Sequence, residues 1–396
     1  MSDDPAAAYL EADNGANEAK LIALRRELHA HPELGRSEQR TTAVIGDLLA
    51  QAGLTPNYLA ETGLWCDIGD AAAGPTVLLR ADLDALPLED PKDVAYRSRV
   101  PGVCHACGHD VHTAILLGVG LALGELAQRD GLPGRVRLVF QPAEEVMPGG
   151  AHDVVEAGLL EGVSVALALH CDPSLEVGFV GLRTGPITAA SDMITVRLSG
   201  PGGHTSRPHN TVDLIFALGR LLTDLPAALN RRIDPRAAVT LVWGQVNSGT
   251  VPNAIPQTAT ARGTVRVLDR DTWAKVPEVL ARLAAQIVAP YGANVEIEHQ
   301  RGVPPVVNSE AAVVLLSQAA DAALGVGAGV PTAQSLGGED FGWYLEHVPG
   351  AMARLGVRPP EAEPYDLHQP GFDVDERCIA VGVRLLTAAA LLGLRS

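Results

Sequence analysis

Several things are scarce in this sequence, and each scarcity excludes something. Five cysteines are scattered at positions 66, 104, 107, 171 and 378 of a 396-residue chain. That odd set gives no disulfide framework and fits a reducing compartment. Basic residues are outnumbered, 30 Lys and Arg against 47 Asp and Glu, for a net charge of −17. Such a balance argues against nucleic acid or an anionic membrane surface as partner. The opening stretch MSDDPAAAYLEADNGANEAK has neither a basic segment nor an apolar one, so no secretory leader is expected. No apolar run is expected to reach membrane-spanning length, and no internal repeat or low-complexity linker is apparent. Aromatic residues make up only 4% beside a hydrophobic content of 47%. What is left is an Ala/Val/Leu-rich globular chain, expected in the cytoplasm, with length enough for two domains and a large core.

Against this background one stretch stands out, Cys104-His105-Ala106-Cys107-Gly108-His109-Asp110-Val111-His112. Two thiols, three imidazoles and a carboxylate share nine residues, with a glycine where the chain must turn. The residues after it, Thr113 to Gln128, read as a buried helix that would hold the loop still. Thiolate and imidazole suit zinc or a similar borderline ion. Cys104 and Cys107 also form a CxxC, which elsewhere is a redox pair or half of a structural zinc knuckle. A knuckle needs a second such pair, and the sequence has none.

Strands that end in polar groups surround this loop in sequence. Thr76–Leu79 runs into Asp82 and Asp84, Arg135–Phe140 into Gln141-Pro142-Ala143-Glu144-Glu145, and Val163–Leu169 into His170. Carboxylates at the ends of buried strands lie where open α/β sheets build their sites. Two adjacent glutamates can supply one metal ligand and one free base, although a charged surface turn reads the same way. Helices are expected over Asn17–Leu28, ahead of Pro32, and over Arg40–Ala52, capped by Gly53. The first twenty residues read as a loose or weakly helical arm. From about residue 190 the pattern becomes amphipathic. Strands around 194–198, 239–246, 258–267 and 295–297, with helices over 212–222 and 272–288, give the order β-α-β-β-α-β of a ferredoxin-like unit. Helices over 310–324 and 377–394 bring the chain back to the larger domain.

Ten motifs in this order resemble the M20 family of metallopeptidases and amidohydrolases, in its aminoacylase-like branch. They are LHAHPELG (28–35), RADLDALPL (80–88), HACGHDVHT (105–113), QPAEE (141–145), ALH (168–170), GPGGHTSRPH (200–209), NAIP (253–256), GTVR (263–266), GGEDF (337–341) and LHQPGF (367–372). The resemblance implies an α/β catalytic domain with a mixed central sheet flanked by helices, formed by residues 1–190 and 303–396. It also implies an inserted ferredoxin-like α+β domain, residues 191–302, serving as lid and dimerisation domain. At matching positions it implies two divalent ions on Cys107, His109, Glu145, His170 and His368, zinc first, with manganese, cobalt or nickel as alternatives. Glu144 becomes the general base. His204 becomes an oxyanion donor that reaches the partner's site in a homodimer, and Asn253 and Arg266 are candidates for holding a substrate carboxylate. Asp82 stands where carboxypeptidase-like branches carry histidine, and Cys104 where relatives carry an apolar residue, so Cys104 is left out of the site. His29, His31, His105 and His112 receive no role on a metal; a supporting one is expected.

The implied activity is hydrolysis of the amide bond of N-acyl-L-amino acids or related small N-acylated molecules. A dipeptidase or carboxypeptidase of the same family is the alternative. A catalytically silent metal-binding protein is a further one, which the spare base Glu144 argues against.

Overall fold

A computed structural model describes residues 5–395. The chain separates into two compact units, Met1–Gly185 with Val307–Ala333 and Asp340–Ser396, and Pro186–Val306 with Gln334–Glu339.

The first unit is built on an eight-stranded mixed sheet. Its strand order is 56–58, 64–69, 135–141, 76–82, 163–176, 350–358, 180–182 and 329–331. The strands read from sequence as fully buried run parallel at its centre, and every residue of Thr76–Asp82 is buried. Register pairs Asp82 with Gln141, so the polar ends of neighbouring strands line one edge of the sheet. The third strand continues past Leu169 to Glu176, which places His170 within it and not after it.

Five of the eight strands were not anticipated, the longest of them Leu64–Gly69 and Gly350–Arg358. The second pairs in parallel with Val163–Glu176, yet its sequence GAMARLGVR has a single β-branched residue. Crowding explains the composition. A β-carbon on Gly350 would lie 2.1 Å from the Ala166 carbonyl oxygen, and one on Gly356 2.0 Å from that of Glu176. Close backbone approach selects glycine where propensity alone argues against a strand.

Helices Pro5–Ala30, His109–Asp130 and Arg377–Gly393 pack together through Leu21, Ile115, Val119, Val383 and Leu386. The expectation of a loose N-terminal arm is corrected, because the first helix starts at Pro5 and buries Ala6, Tyr9 and Leu10. Tertiary burial stabilises a segment whose local pattern is weak. It runs to Ala30, so His29 is helical, and Pro32 lies just beyond. The helix expected from Thr113 starts at His109. Its length and apolar composition would suit a membrane span, yet most of it is buried inside the protein. The expectation that no run reaches such a length is therefore corrected too; the burial is that of a core helix.

In the second unit, strands 190–199, 240–248, 258–267 and 294–303 form one antiparallel sheet in the order 240–248, 258–267, 190–199, 294–303. Helices Leu214–Arg232 and Arg270–Val288 complete the βαββαβ order. Asp213 caps the first through the Phe216 N–H and Asp269 the second through the Thr272 N–H, as short acceptors do at helix starts. Along Ala190–Ser199 alternate residues are buried, the period of a sheet covered on one face.

Candidate metal centre

The ligand-rich stretch turns into its helix at Gly108, whose φ of +92° lies in the left-handed region. A side chain there would also meet the Cys171 sulfur at 2.6 Å, so glycine is required twice over. His109 is consequently the first helical residue and Cys107 the last of the loop. Glu144 and Glu145 follow strand 135–141, and His170 comes from strand 163–176, on the far side of strand 76–82. His368 has φ +60° in a loop anchored by its own N–H donating to the Ala106 carbonyl at 2.8 Å.

These elements bring all five candidate ligands together. Donor atoms of Cys107, His109 and His170 lie within 4.8 Å of one another, as do those of Cys107, Glu145 and His368, and those of His109, Glu144 and Glu145. The Cys107 sulfur is 3.5 Å from His170 Nε2. Glu145 Oε1 lies 3.1 Å from His368 Nε2 and 3.9 Å from His109 Nε2. His170 donates its Nδ1–H to the Cys171 carbonyl at 2.8 Å, which leaves Nε2 as the free lone pair facing the cluster. His109 Nε2 is buried without a hydrogen-bond partner among the described residues, while its Nδ1 lies 3.3 Å from Asp84 Oδ1. Orphaned polar atoms of this kind are what a site for a cation looks like.

Charge supports the same fit. Burial alone would strip His109 of its proton, but Asp82, Asp84 and Glu145 outweigh it and raise its pKa to about 10. Burial, and then Glu145, Glu144 and Asp82, push the Cys107 thiol well above its ordinary value. The His109 shift, and in part that of Cys107, reflects nearby negative charge that protons offset and that divalent cations would offset better, releasing those protons. The residues present therefore fit a metal centre.

Much of the support was unassigned in the sequence. Asp82, wholly buried, accepts from His112 Nδ1 at 2.6 Å and from Arg80 at 2.7 Å. His112 Nε2 accepts the Cys171 N–H at 2.9 Å, so both its nitrogens are occupied and it braces two strands. Arg80 also donates to Gln141 at 3.0 Å and to Asp340 at 2.7 Å. Asp84 accepts the backbone N–H groups of Glu144 and Glu145 at 3.0 and 2.9 Å. Beneath the loop, Asp110 accepts from His29 at 2.7 Å and from Arg25 at 2.8 Å, and Arg25 continues to Asp373 at 3.0 Å. The motif positions hinted at Asp82, Asp84 and His112; no local signal marked Arg25 or Glu38, whose partners lie 85 and 105 residues away.

The other histidines and Cys104 stand apart from the ligand groups. Cys104 is buried, its backbone paired with Leu86 and its thiol pushed up to about 11, chiefly by burial. His31 bonds the Glu27 carbonyl, and burial lowers His105 to about 3.

His204, Asn253 and Arg266 belong to the second unit. His204 pairs with Ala254 in a short antiparallel ladder, and Thr205 N–H donates to the Asn253 carbonyl at 3.2 Å. Both His204 and Asn253 are exposed. Arg266 sits apart from them on strand 258–267, where it donates to the Leu336 carbonyl.

Paired carboxylates and imidazoles gathered with a thiol beside a mixed α/β sheet suit metal-dependent hydrolysis. The chain belongs to peptidase family M20/M25/M40, whose model matches residues 78–392. It is 50% identical, over 95% of its length, to a Rhodococcus jostii (strain RHA1) protein provisionally named glutamate–cysteine ligase 2-3, of which it spans only 47%. It is 40% identical to the N-acetyl-L-cysteine deacetylase of Bacillus subtilis (strain 168), over 91% of this chain and 85% of that one. Among solved structures, a Bacillus subtilis protein described as a dinuclear metal binding peptidase of the M20 family superposes with a TM-score of 0.84. The two are 34% identical, with 96% of this chain and 99% of that one covered. The chain is an M20-family hydrolase.

Proposed function

We propose that this enzyme hydrolyses the amide bond of N-acyl-L-amino acids, N-acetyl-L-cysteine among them, with Glu144 as general base. The carrying observation is the cluster itself, in which five candidate ligands fall in overlapping groups and a sixth polar group, Glu144, stands beside His109 and Glu145. Cys107, His109, Glu145, His170 and His368 hold two divalent ions, zinc first, with manganese, cobalt or nickel as alternatives. Such ions acidify water and polarise a carbonyl when bound. Glu144 takes the proton of the attacking water and returns it to the leaving nitrogen. Cys107 must be a thiolate to ligate, so binding weakens as pH falls.

The second unit acts as lid and dimerisation domain. His204 donates to the developing oxyanion in the partner's site. Asn253 and Arg266 hold the substrate carboxylate; for Arg266, this requires exchange of its bond to Leu336. The deacetylase name of a 40%-identical relative supports the substrate class. The ligase name belongs to a protein of which this chain spans less than half, and it is not carried over.

The test is metal content on purification together with hydrolysis rates over acetyl-, benzoyl- and aminoacyl-amino acids. Preference for acyl-amino acids supports the proposal. Preference for dipeptides moves it to the peptidase alternative, and metal binding without turnover leaves a silent metal-binding protein.

A further inference from the structure

Glu38 is a fully buried carboxylate in the first unit, and the chemistry described so far gives it no task. It occupies the N-cap position of helix Gln39–Gln51, yet its side chain makes no cap hydrogen bond. Glu33 performs that service, accepting the Arg40 and Thr41 N–H groups at 2.9 and 2.8 Å. The Glu38 side chain turns the other way. Its Oε1 accepts the Ala143 N–H at 2.7 Å, and its Oε2 accepts the Thr62 hydroxyl at 2.7 Å.

Ala143 immediately precedes Glu144 and Glu145 and has φ +55°, a left-handed conformation that a residue with a β-carbon seldom adopts unaided. Its carbonyl is fixed as well, accepting the Gly150 N–H at 2.9 Å. With Asp84 accepting at Glu144 and Glu145, three successive backbone N–H groups point into two buried carboxylates. The segment is held from its backbone, while its side chains reach elsewhere: Glu144 Oε1 accepts the Asp340 N–H at 3.4 Å and Glu145 Oε1 lies 3.1 Å from His368 Nε2. A buried carboxylate is costly unless its oxygens are bonded, and both oxygens of Glu38 are.

We propose that Glu38 is a positioning residue for the carboxylate loop, fixing Ala143 in the left-handed conformation that aims Glu144 at its proton. The proposal rests on reading Glu144 as the base. Displacement of a reacting group by about 1 Å is enough to cost ~10²-fold in rate, so a remote hydrogen bond can govern turnover.

The test uses the full-length, metal-supplied enzyme and four measurements: kcat, KM, metal per chain and unfolding temperature. Glu38→Ala is expected to lower kcat about 10-fold or more, with KM within about twofold and full metal content. Glu38→Gln keeps an acceptor for Ala143 and is expected to stay within about threefold of wild type. Should Glu38→Ala fail to fold, Thr62→Val loosens Glu38 without touching the loop and is expected to lower kcat by a smaller factor in the same direction. Wild-type kcat in folded Glu38→Ala, or in Thr62→Val where Glu38→Ala does not fold, overturns the proposal. A loss cured by excess metal also overturns it, because Glu38 would then act on metal retention. Glu144→Gln, measured alongside, keeps the two readings separable: if that variant turns over normally, the base assignment fails on its own.

Discussion

Two groups of candidate residues are held in opposite ways. In the first unit the carboxylate loop and the ligand loop are fixed from beneath, by Asp84 and Glu38 on one and by Asp110, His29 and Arg25 on the other. Nearly all of these supports are buried and reach across long sequence separations. In the second unit His204 lies on a short ladder with Asn253 just before its partner strand, both exposed, and among the described residues the His204 ring is bonded by the Ser206 N–H alone, 3.1 Å away. The difference is one of anchoring: preorganised dipoles act most strongly in a site assembled in advance, whereas an exposed side chain is held by little beyond its own backbone. Removing a member of either group should therefore fail in a different way.

The largest effect is expected at the base. Glu144→Gln should keep its metal and lose turnover by ~10²-fold or more, whereas Glu145→Gln should lose metal. Cys107→Ser should lower both metal content and rate, and Cys104→Ser should leave both near wild type, since its sulfur belongs to none of the ligand groups. Elemental analysis with steady-state kinetics checks all four. Equal losses from the two cysteine variants would restore the CxxC as a structural unit.

His204→Ala is expected to cost ~10²–10³-fold in turnover with metal content unchanged. If it acts on the partner's site, mixing Glu144→Ala with His204→Ala under conditions of subunit exchange should recover activity. One site of each mixed dimer then joins Glu144 of one chain to His204 of the other. A dead mixture, with exchange demonstrated, places His204 in its own chain's reaction or removes the dimer.

The same contrast explains what the sequence made legible. Strands such as Thr258–Val267 and helices such as Glu310–Leu324 are observed at the limits their periodicity predicts, because local pattern and burial agree there. The chemistry-bearing residues could be found because they come in short motifs of distinctive composition. Their supports could not. Glu38, Arg25 and Gly350–Arg358 carry no local signal, because each is defined by a partner far away in sequence. The N-terminal helix failed for a related reason: Tyr9 and Leu10 are helical by virtue of what covers them.

A smaller effect, on stability, is expected beneath the ligand loop. Arg25 is fully buried and pairs with Asp110, Asp373 and Glu376. Arg25→Ala strands those charges and should cost about 3–5 kcal/mol in chemical denaturation. The pH dependence has a definite sign. Burial works to raise the Asp110 pKa, but Arg25 and His29 outweigh it and hold it well below the usual range. Its contribution is present above the unfolded carboxylate pKa of about 3.9 and is lost as pH falls through the depressed folded value. Without Arg25, acid unfolding should begin at higher pH.

The smallest expected effect sharpens the comparison most. His204→Ala, for all its cost in turnover, should change the unfolding free energy by less than about 0.5 kcal/mol, the range of exposed substitutions away from packing. The ring is solvent-exposed, and the bond from the Ser206 N–H can be replaced by water. The ladder pairing of His204 with Ala254 is made by backbone and survives the change. Denaturant curves for wild type, His204→Ala and Arg25→Ala on one scale would read this directly, in variants that all remain folded at neutral pH without denaturant. A His204→Ala loss approaching that of Arg25→Ala would mean that the histidine holds its loop together. Its effect on turnover would then be structural, and the assignment as an oxyanion donor would fall.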